Sequence, residues 1–235
     1  MNENKVNVQE LPGRLLNILN GADYEMSDDE ISALTRKAEA VDIYQTNMDL
    51  SEYKVTARSI SGRALPWMYA DTVARPQFID FPPTYVDGEL CCVRPAIILP
   101  DDESIESLKN AVHEICHLLA DRPYIKSPDG SICHQSGLLT FMYSVEDEGC
   151  IKRTGIYGSS EINELLNDSI AIYLLEKTFK ISYKPEKYVQ DFKSKILAAC
   201  GETDRNGFEQ LIGCYFTGKT EKIRCRLSKS LQIFI

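Results

Sequence analysis

The segment from about Asp101 to Asp121 constrains this chain more than any other. Leu108, Ala111, Val112, Ile115, Leu118 and Leu119 recur at the spacing of one broad apolar helical stripe, and Pro123 stops the pattern. Asp101 to Ser104 offer N-cap candidates at its start. Off the apolar stripe lies His113-Glu114-Ile115-Cys116-His117. Residues four apart share a helical face, so the two imidazoles can reach one ion. Glu114 stands one position round, where its carboxylate can touch a metal-bound water without ligating the metal. The chain has only 3 histidines, and two fall in this pattern. Chance would place such a pentapeptide in about three of a thousand chains of this composition.

A catalytic zinc takes three protein ligands and keeps one position open. A third histidine close downstream, as in His-Glu-x-x-His-x-x-Gly-x-x-His, is excluded because Arg122-Pro123-Tyr124 occupies that stretch. His134 is expected in a loop, incidental or in contact with substrate. The better candidate lies in Asn163-Glu164-Leu165-Leu166-Asn167-Asp168, on a helix expected from Ser159-Ser160 to about Lys180. Glu164 and Asp168 share a face. Glu164 could bind the metal while Asp168 accepts the outer N–H of a ligating histidine and fixes its tautomer. Glu161, one turn earlier, competes for the ligand role.

His-Glu-x-x-His followed by Asn-Glu-x-x-x-Asp resembles the gluzincin pattern of thermolysin-like metalloproteases. That resemblance implies an α+β, zincin-like catalytic domain with a small mixed sheet, an HExxH helix and a second ligand helix, flanked by N- and C-terminal helices. It implies one Zn2+ per chain on His113, His117 and Glu164, Glu114 as catalytic base, and Asp168 orienting a ligand. Residues 118–163 part the ligands more widely than in thermolysin. This long insert is closer to anthrax lethal factor-like catalytic domains, in which a tyrosine seven residues before the glutamate ligand stabilises the oxyanion. Tyr157 stands at that offset. In such folds an edge strand before the HExxH helix pairs with extended substrate, a place taken here by Ala96-Ile97-Ile98-Leu99, which could equally be a buried strand. The likeness covers about 95–180.

The expected activity is zinc-dependent hydrolysis of peptide bonds in a protein or peptide substrate. The alternative is a zincin-like regulatory or binding module that acts on one protein partner with little general proteolysis; the presence of Glu114 favours the enzyme. A structural zinc closed by Cys133 or Cys150 fits less well, since structural sites favour cysteine and four protein ligands.

Three regions are expected: an N-terminal helical segment (1–48), the catalytic core (49–182) and a C-terminal helical subdomain of three short helices (183–235). Gln9 to Leu19 and the stretch opened by Ser27-Asp28-Asp29-Glu30 carry the first two helices. Turn signals at Ser61-Gly62, Phe81-Pro82-Pro83 and Asp87-Gly88 mark short strands, and Glu89 to Leu99 reads as one strand ending at Pro100. Within 124–158, Asp129-Gly130 and Glu148-Gly149 flank a hairpin-like stretch at Leu138 to Tyr143.

A net charge of −9 argues against nucleic acid and anionic membranes as partners. The start of the chain lacks a signal-peptide pattern, so a cytoplasmic location with its 8 cysteines reduced is expected. Nothing in the chain specifies an oligomeric state.

Overall fold

The computed structural model describes residues 7–46, 104–146, 151–200 and 206–223, with strand segments 54–55, 57–59, 68–69, 77–79, 84–86, 89–93 and 96–100. The turn signals at Ser61–Gly62, Phe81–Pro83, Asp87–Gly88 and Glu148–Gly149 fall outside these residues, as do Asp101 and the chain beyond 223.

The fold is α+β. A 3₁₀ turn leads into α1 (Leu11–Leu19), which buries Leu11, Leu15, Leu16 and Leu19 along one side. The helix α2 (Asp28–Ala40) opens on a reciprocal capping box: the Ser27 hydroxyl accepts from the Glu30 amide, and the Glu30 carboxylate accepts from the Ser27 amide.

Strand β1 (Asp42–Thr46) runs parallel to β8 (Ala96–Pro100), with Asp42 opposite Ala96 and Thr46 opposite Pro100. On the other side of β8 lies β5 (Gln77–Ile79), antiparallel, with Gln77 opposite Ile98. Of the two readings open for Ala96–Leu99, substrate-pairing edge strand or buried strand, the structure gives the second: the strand is central in its sheet, and Ile97, Ile98 and Leu99 are buried. An all-apolar run is what a strand covered on both faces requires. The single strand expected over 89–99 is two, because β7 (Glu89–Val93) ends before β8 begins. It pairs with β3 (Ala57–Ser59) and β6 (Thr84–Val86), while β2 (Lys54–Val55) pairs with β4 (Met68–Tyr69).

The helix α3 (Ile105–Ala120) carries the two paired histidines. Ser104 caps it, accepting from the Ser107 amide at 3.0 Å. Ala111, Val112, Ile115, Cys116, Leu118 and Leu119 are buried, as the periodicity requires. At its C-terminus Lys37 of α2 donates to the Leu119 carbonyl (2.9 Å) and to the Asp121 carbonyl. Two orphan carbonyls of the last turn thus gain a cationic donor. Burial lowers the Lys37 ammonium to about 8, although the Asp121 charge pulls it up.

Residues 124–158 form a four-stranded antiparallel sheet in place of one hairpin: β9 (Ile125–Lys126), β10 (Ile132–Ser136), β11 (Leu139–Val145) and β12 (Ile151–Tyr157), each beside the next. The tight turn between β10 and β11 falls at Gly137, in the left-handed region at φ 56°. The sequence reading did not mark it. A side chain there would land on the Asn163 carboxamide oxygen and the Tyr215 hydroxyl, so the position needs glycine for space as well as conformation.

The helix α4 (Ser160–Phe179) starts at the expected residue, with the Ser159 hydroxyl accepting from the Ile162 amide. It packs against α1, α3 and α5 (Lys187–Cys200) and is buried on several faces. The helix α6 (Gly207–Thr217) follows, and 220–223 are helical. One apolar core joins α1, α3, α4 and α6, from Leu11 through Ile115 and Ile170 to Phe216 and Ile223. No helix among the described residues is long and apolar enough to cross a membrane.

Candidate metal centre

On α3, His113 and His117 stand one turn apart; on α4, Glu164 and Asp168 do the same. His117 meets Glu164, while His113 meets both Glu164 and Asp168, so the two helices pass antiparallel with their polar faces in register. His113 Nε2 lies 3.0 Å from His117 Nε2 and 3.4 Å from Glu164 Oε2, and the His117–Glu164 separation is 3.2 Å. The triangle is closed by two imidazole nitrogens and one carboxylate oxygen, atoms that can each serve as a metal ligand.

The tautomer follows from the other side of the ring. His113 Nδ1 is 2.8 Å from Asp168 Oδ1, and an ionised carboxylate only accepts, so Nδ1 carries the proton and donates. In the neutral imidazole this leaves Nε2 as a bare lone pair beside the Glu164 carboxylate, a second acceptor. A cation relieves that clustering. Ligand atoms at ~2.0–2.1 Å around a tetrahedral zinc stand about 3.3 Å apart, close to the separations here. The donor set fits zinc, and the three residues are the cluster of possible metal ligands formed among the described residues.

His113 and His117 keep only 14% and 16% of their side-chain surface, against 52% for Glu164, so the site opens on the Glu164 side. Glu161 is exposed on the first turn of α4 and lies outside the cluster. Glu114 is half-buried on α3, near enough for its charge to act on His113 and Cys116. Tyr157 ends β12 opposite Thr140, with its ring along Gly155 and 62% exposed. No described contact joins it to the triad. Cys116 is buried in the core, pointing away from the imidazoles, and burial raises its thiol. Cys133 lies outside the cluster, and Cys150 outside the described residues. Cys116, Cys133 and Cys214 are free thiols.

Three features of the site were missed in the sequence. Lys109, one turn before His113, places its ammonium 2.5 Å from the same Asp168 oxygen that His113 uses. Asn167 donates to the His113 carbonyl at 3.0 Å. Asn163 accepts from the Leu138 amide at 2.8 Å, and the buried Tyr215 hydroxyl lies 3.3 Å from both Asn163 Oδ1 and Asn167 Oδ1. This network ties the Gly137 turn, α6 and the ligand helices together. Its signal was present, since two asparagines four apart bracket Glu164, but nothing in the sequence told buried carboxamides from a solvated face. His134 corrects the loop expectation. It sits in β10 with 3% exposure, 2.7 Å from Asp121 and stacked on Tyr124 at 4.1 Å between ring centres. It belongs to the core.

Burial works against charge on His113, yet hydrogen bonds to Asp168 and Glu164 push it up to about 9 in the metal-free chain. Glu164 is held well below the carboxylate range: burial opposes this, but His113 and His117 outweigh it. Asp168 is also lowered against burial, by His113 and Lys109. The His113 contribution to stability is complete below the ordinary 6.5 and is lost as pH rises through 9, whereas those of Glu164 and Asp168 are lost as pH falls through the acid range. The metal-free chain should therefore melt at falling temperatures between pH 6.5 and 9, and saturating zinc, which needs His113 deprotonated, should flatten that fall. A metal-free melting temperature that stays level across this interval would mean that His113 is not held charged.

Comparison with family models, curated proteins and solved structures finds no match for the chain.

Proposed function

We propose that the chain is a zinc-dependent endopeptidase of the gluzincin kind, with a zincin-like catalytic domain. The observation that carries this reading is the convergence of His113 Nε2, His117 Nε2 and Glu164 Oε2 to within 3.4 Å of one another, with Glu114 next to His113 on the same helix and near enough for its charge to act on that ring. Zinc bound there supplies a Lewis acid for the scissile carbonyl and makes a water more acidic. Glu114 would serve as the base that accepts a proton from the attacking water and returns it to the leaving amine nitrogen. Asp168 holds His113 in the tautomer that presents Nε2. Tyr157, seven residues before Glu164 on an exposed strand end, donates its phenol proton as a hydrogen bond to the developing oxyanion. The substrate is a peptide or a protein segment.

Elemental analysis of the wild type beside Glu164→Ala tests the site. The expected result is about one zinc per wild-type chain and a loss of at least tenfold in retention in the variant, since only two protein ligands remain. A wild type that cannot be loaded would end the metallopeptidase reading. Equal zinc in both proteins would remove Glu164 from the ligand set.

A further inference from the structure

We propose that Lys109 is a positioning residue for the metal centre, acting through Asp168 on His113. The inference rests on the zinc reading above and adds to it a group with no contact to any ligand atom of the triad. The geometry is specific. Asp168 Oδ1 receives two donors from one helix, Lys109 Nζ at 2.5 Å and His113 Nδ1 at 2.8 Å. Lys109 and His113 are four apart on α3, so the helix itself sets the spacing of the two donors. The lysine and aspartate side chains are 13% and 18% exposed.

Lys109 stands among other carboxylates. It lines a small open cavity between α3, α4, the segment after α4 and the start of α5, together with Glu106, Asp168, Tyr183, Glu186 and Tyr188. Glu106 is engaged by the Tyr183 hydroxyl. The ammonium goes to Asp168, the one carboxylate of the group that also holds a metal-ligand candidate. A carboxylate anchored by His113 alone could rotate into that cavity, and the His113 ring would then turn with it. Anchored by two donors, it keeps Nδ1–H aimed and Nε2 directed at the triad. The cavity side and the triad side lie on opposite edges of the same imidazole, so Lys109 acts on the centre from behind.

The sign of the effect separates positioning from simple charge. Removing a cation near a dication's site should tighten zinc binding if charge alone matters. Losing the anchor of a histidine's partner should weaken it, by about tenfold at the low end of the range for such groups. The test is zinc affinity by chelator competition in the full chain, for wild type, Lys109→Met, Lys109→Arg, Asp168→Asn and the Lys109→Met/Asp168→Asn double variant. Long-range 1H–15N spectra of the zinc-loaded proteins are recorded alongside; with 3 histidines in the chain, each ring is resolvable.

Lys109→Met should bind zinc about tenfold more weakly, lose the sharp His113 Nδ1–H signal, and be largely rescued by Lys109→Arg. In the Asp168→Asn background the lysine substitution should change nothing further. Unchanged or tighter binding by Lys109→Met would overturn the proposal, as would an equal loss in the Asp168→Asn background. If Lys109→Met does not fold, Lys109→Leu, which also lacks a donor, is read by the same criteria. A wild type that takes no zinc at all fails at the earlier step, removing the metal reading and this inference together.

Discussion

Glu114→Gln should lower peptide hydrolysis by about 10^3–10^4-fold while leaving zinc content at the wild-type level. The size follows from what a positioned base contributes to a proton-transfer step, at the upper end of the usual range because the same group both takes and returns the proton. The sign on metal content follows from the structure. Glu114 is half-buried on α3 but outside the cluster of His113, His117 and Glu164, so an isosteric amide leaves the ligand set intact. The amide keeps the volume and loses the basic lone pair. Cleavage of a degenerate peptide library, followed by mass spectrometry and normalised to bound zinc, reads both quantities. Undiminished cleavage would exclude Glu114 as the base. Zinc without cleavage in the wild type itself would turn the reading toward a module that serves one partner.

The second large effect lies far from the triad. Gly213→Ala should destabilise the fold by about 3 kcal/mol, at the upper end of ordinary overpacking costs. Gly213 sits on α6 where the helix presses on the turn preceding α2. An added methyl would meet the Tyr24 carbonyl oxygen and carbon, with the Met26 side chain 3.4 Å away. The obstacle is backbone, and it has little room to yield. The Tyr24 ring is buried at 2% exposure, and Glu25 beside it already holds a left-handed conformation at φ 51°. For a chain of this size 3 kcal/mol corresponds to a fall of roughly 6–12 °C in melting temperature. Melting within two degrees of the wild type would show that α6 slides freely on this turn.

Much of this site could be read from the sequence because its signals are local. His113 and His117 are four apart on a helix whose apolar stripe stands out, and both helix starts carry serine caps, Ser104 from among the candidates at 101–104 and Ser159 at the expected Ser159-Ser160 start. Glu164 and Asp168 repeat the same spacing, and the structure brings both to the histidines. What stayed open or was misread depended on pairing between distant segments. Whether Ala96–Leu99 lies at an edge or in the centre is decided by β1 and β5, and no feature of the strand itself announces two neighbours. His134 looked incidental because its partner, Asp121, comes from the end of α3, and its stacking on Tyr124 needs the sheet already folded. Lys109 was hidden for another reason. A lysine on the polar side of an amphipathic helix is ordinarily solvated, and only the arrival of Asp168 from α4 makes it otherwise.

The wide separation of the ligands bears on how metal and folding are linked. His117 and Glu164 are 47 positions apart, and the chain between them forms a four-stranded sheet whose tight turn is pinned to α4 through Asn163. An unfolded chain therefore offers a zinc ion at most the neighbouring pair of imidazoles, whereas the third donor arrives only when the sheet is formed and the helices are docked. Zinc bound at the proposed centre would then favour the native state by RT ln(1 + [Zn]/Kd). With zinc held at the proposed centre, the free metal concentration would become a thermodynamic variable of the whole fold, and the chain's resistance to unfolding would record how much zinc its surroundings supply.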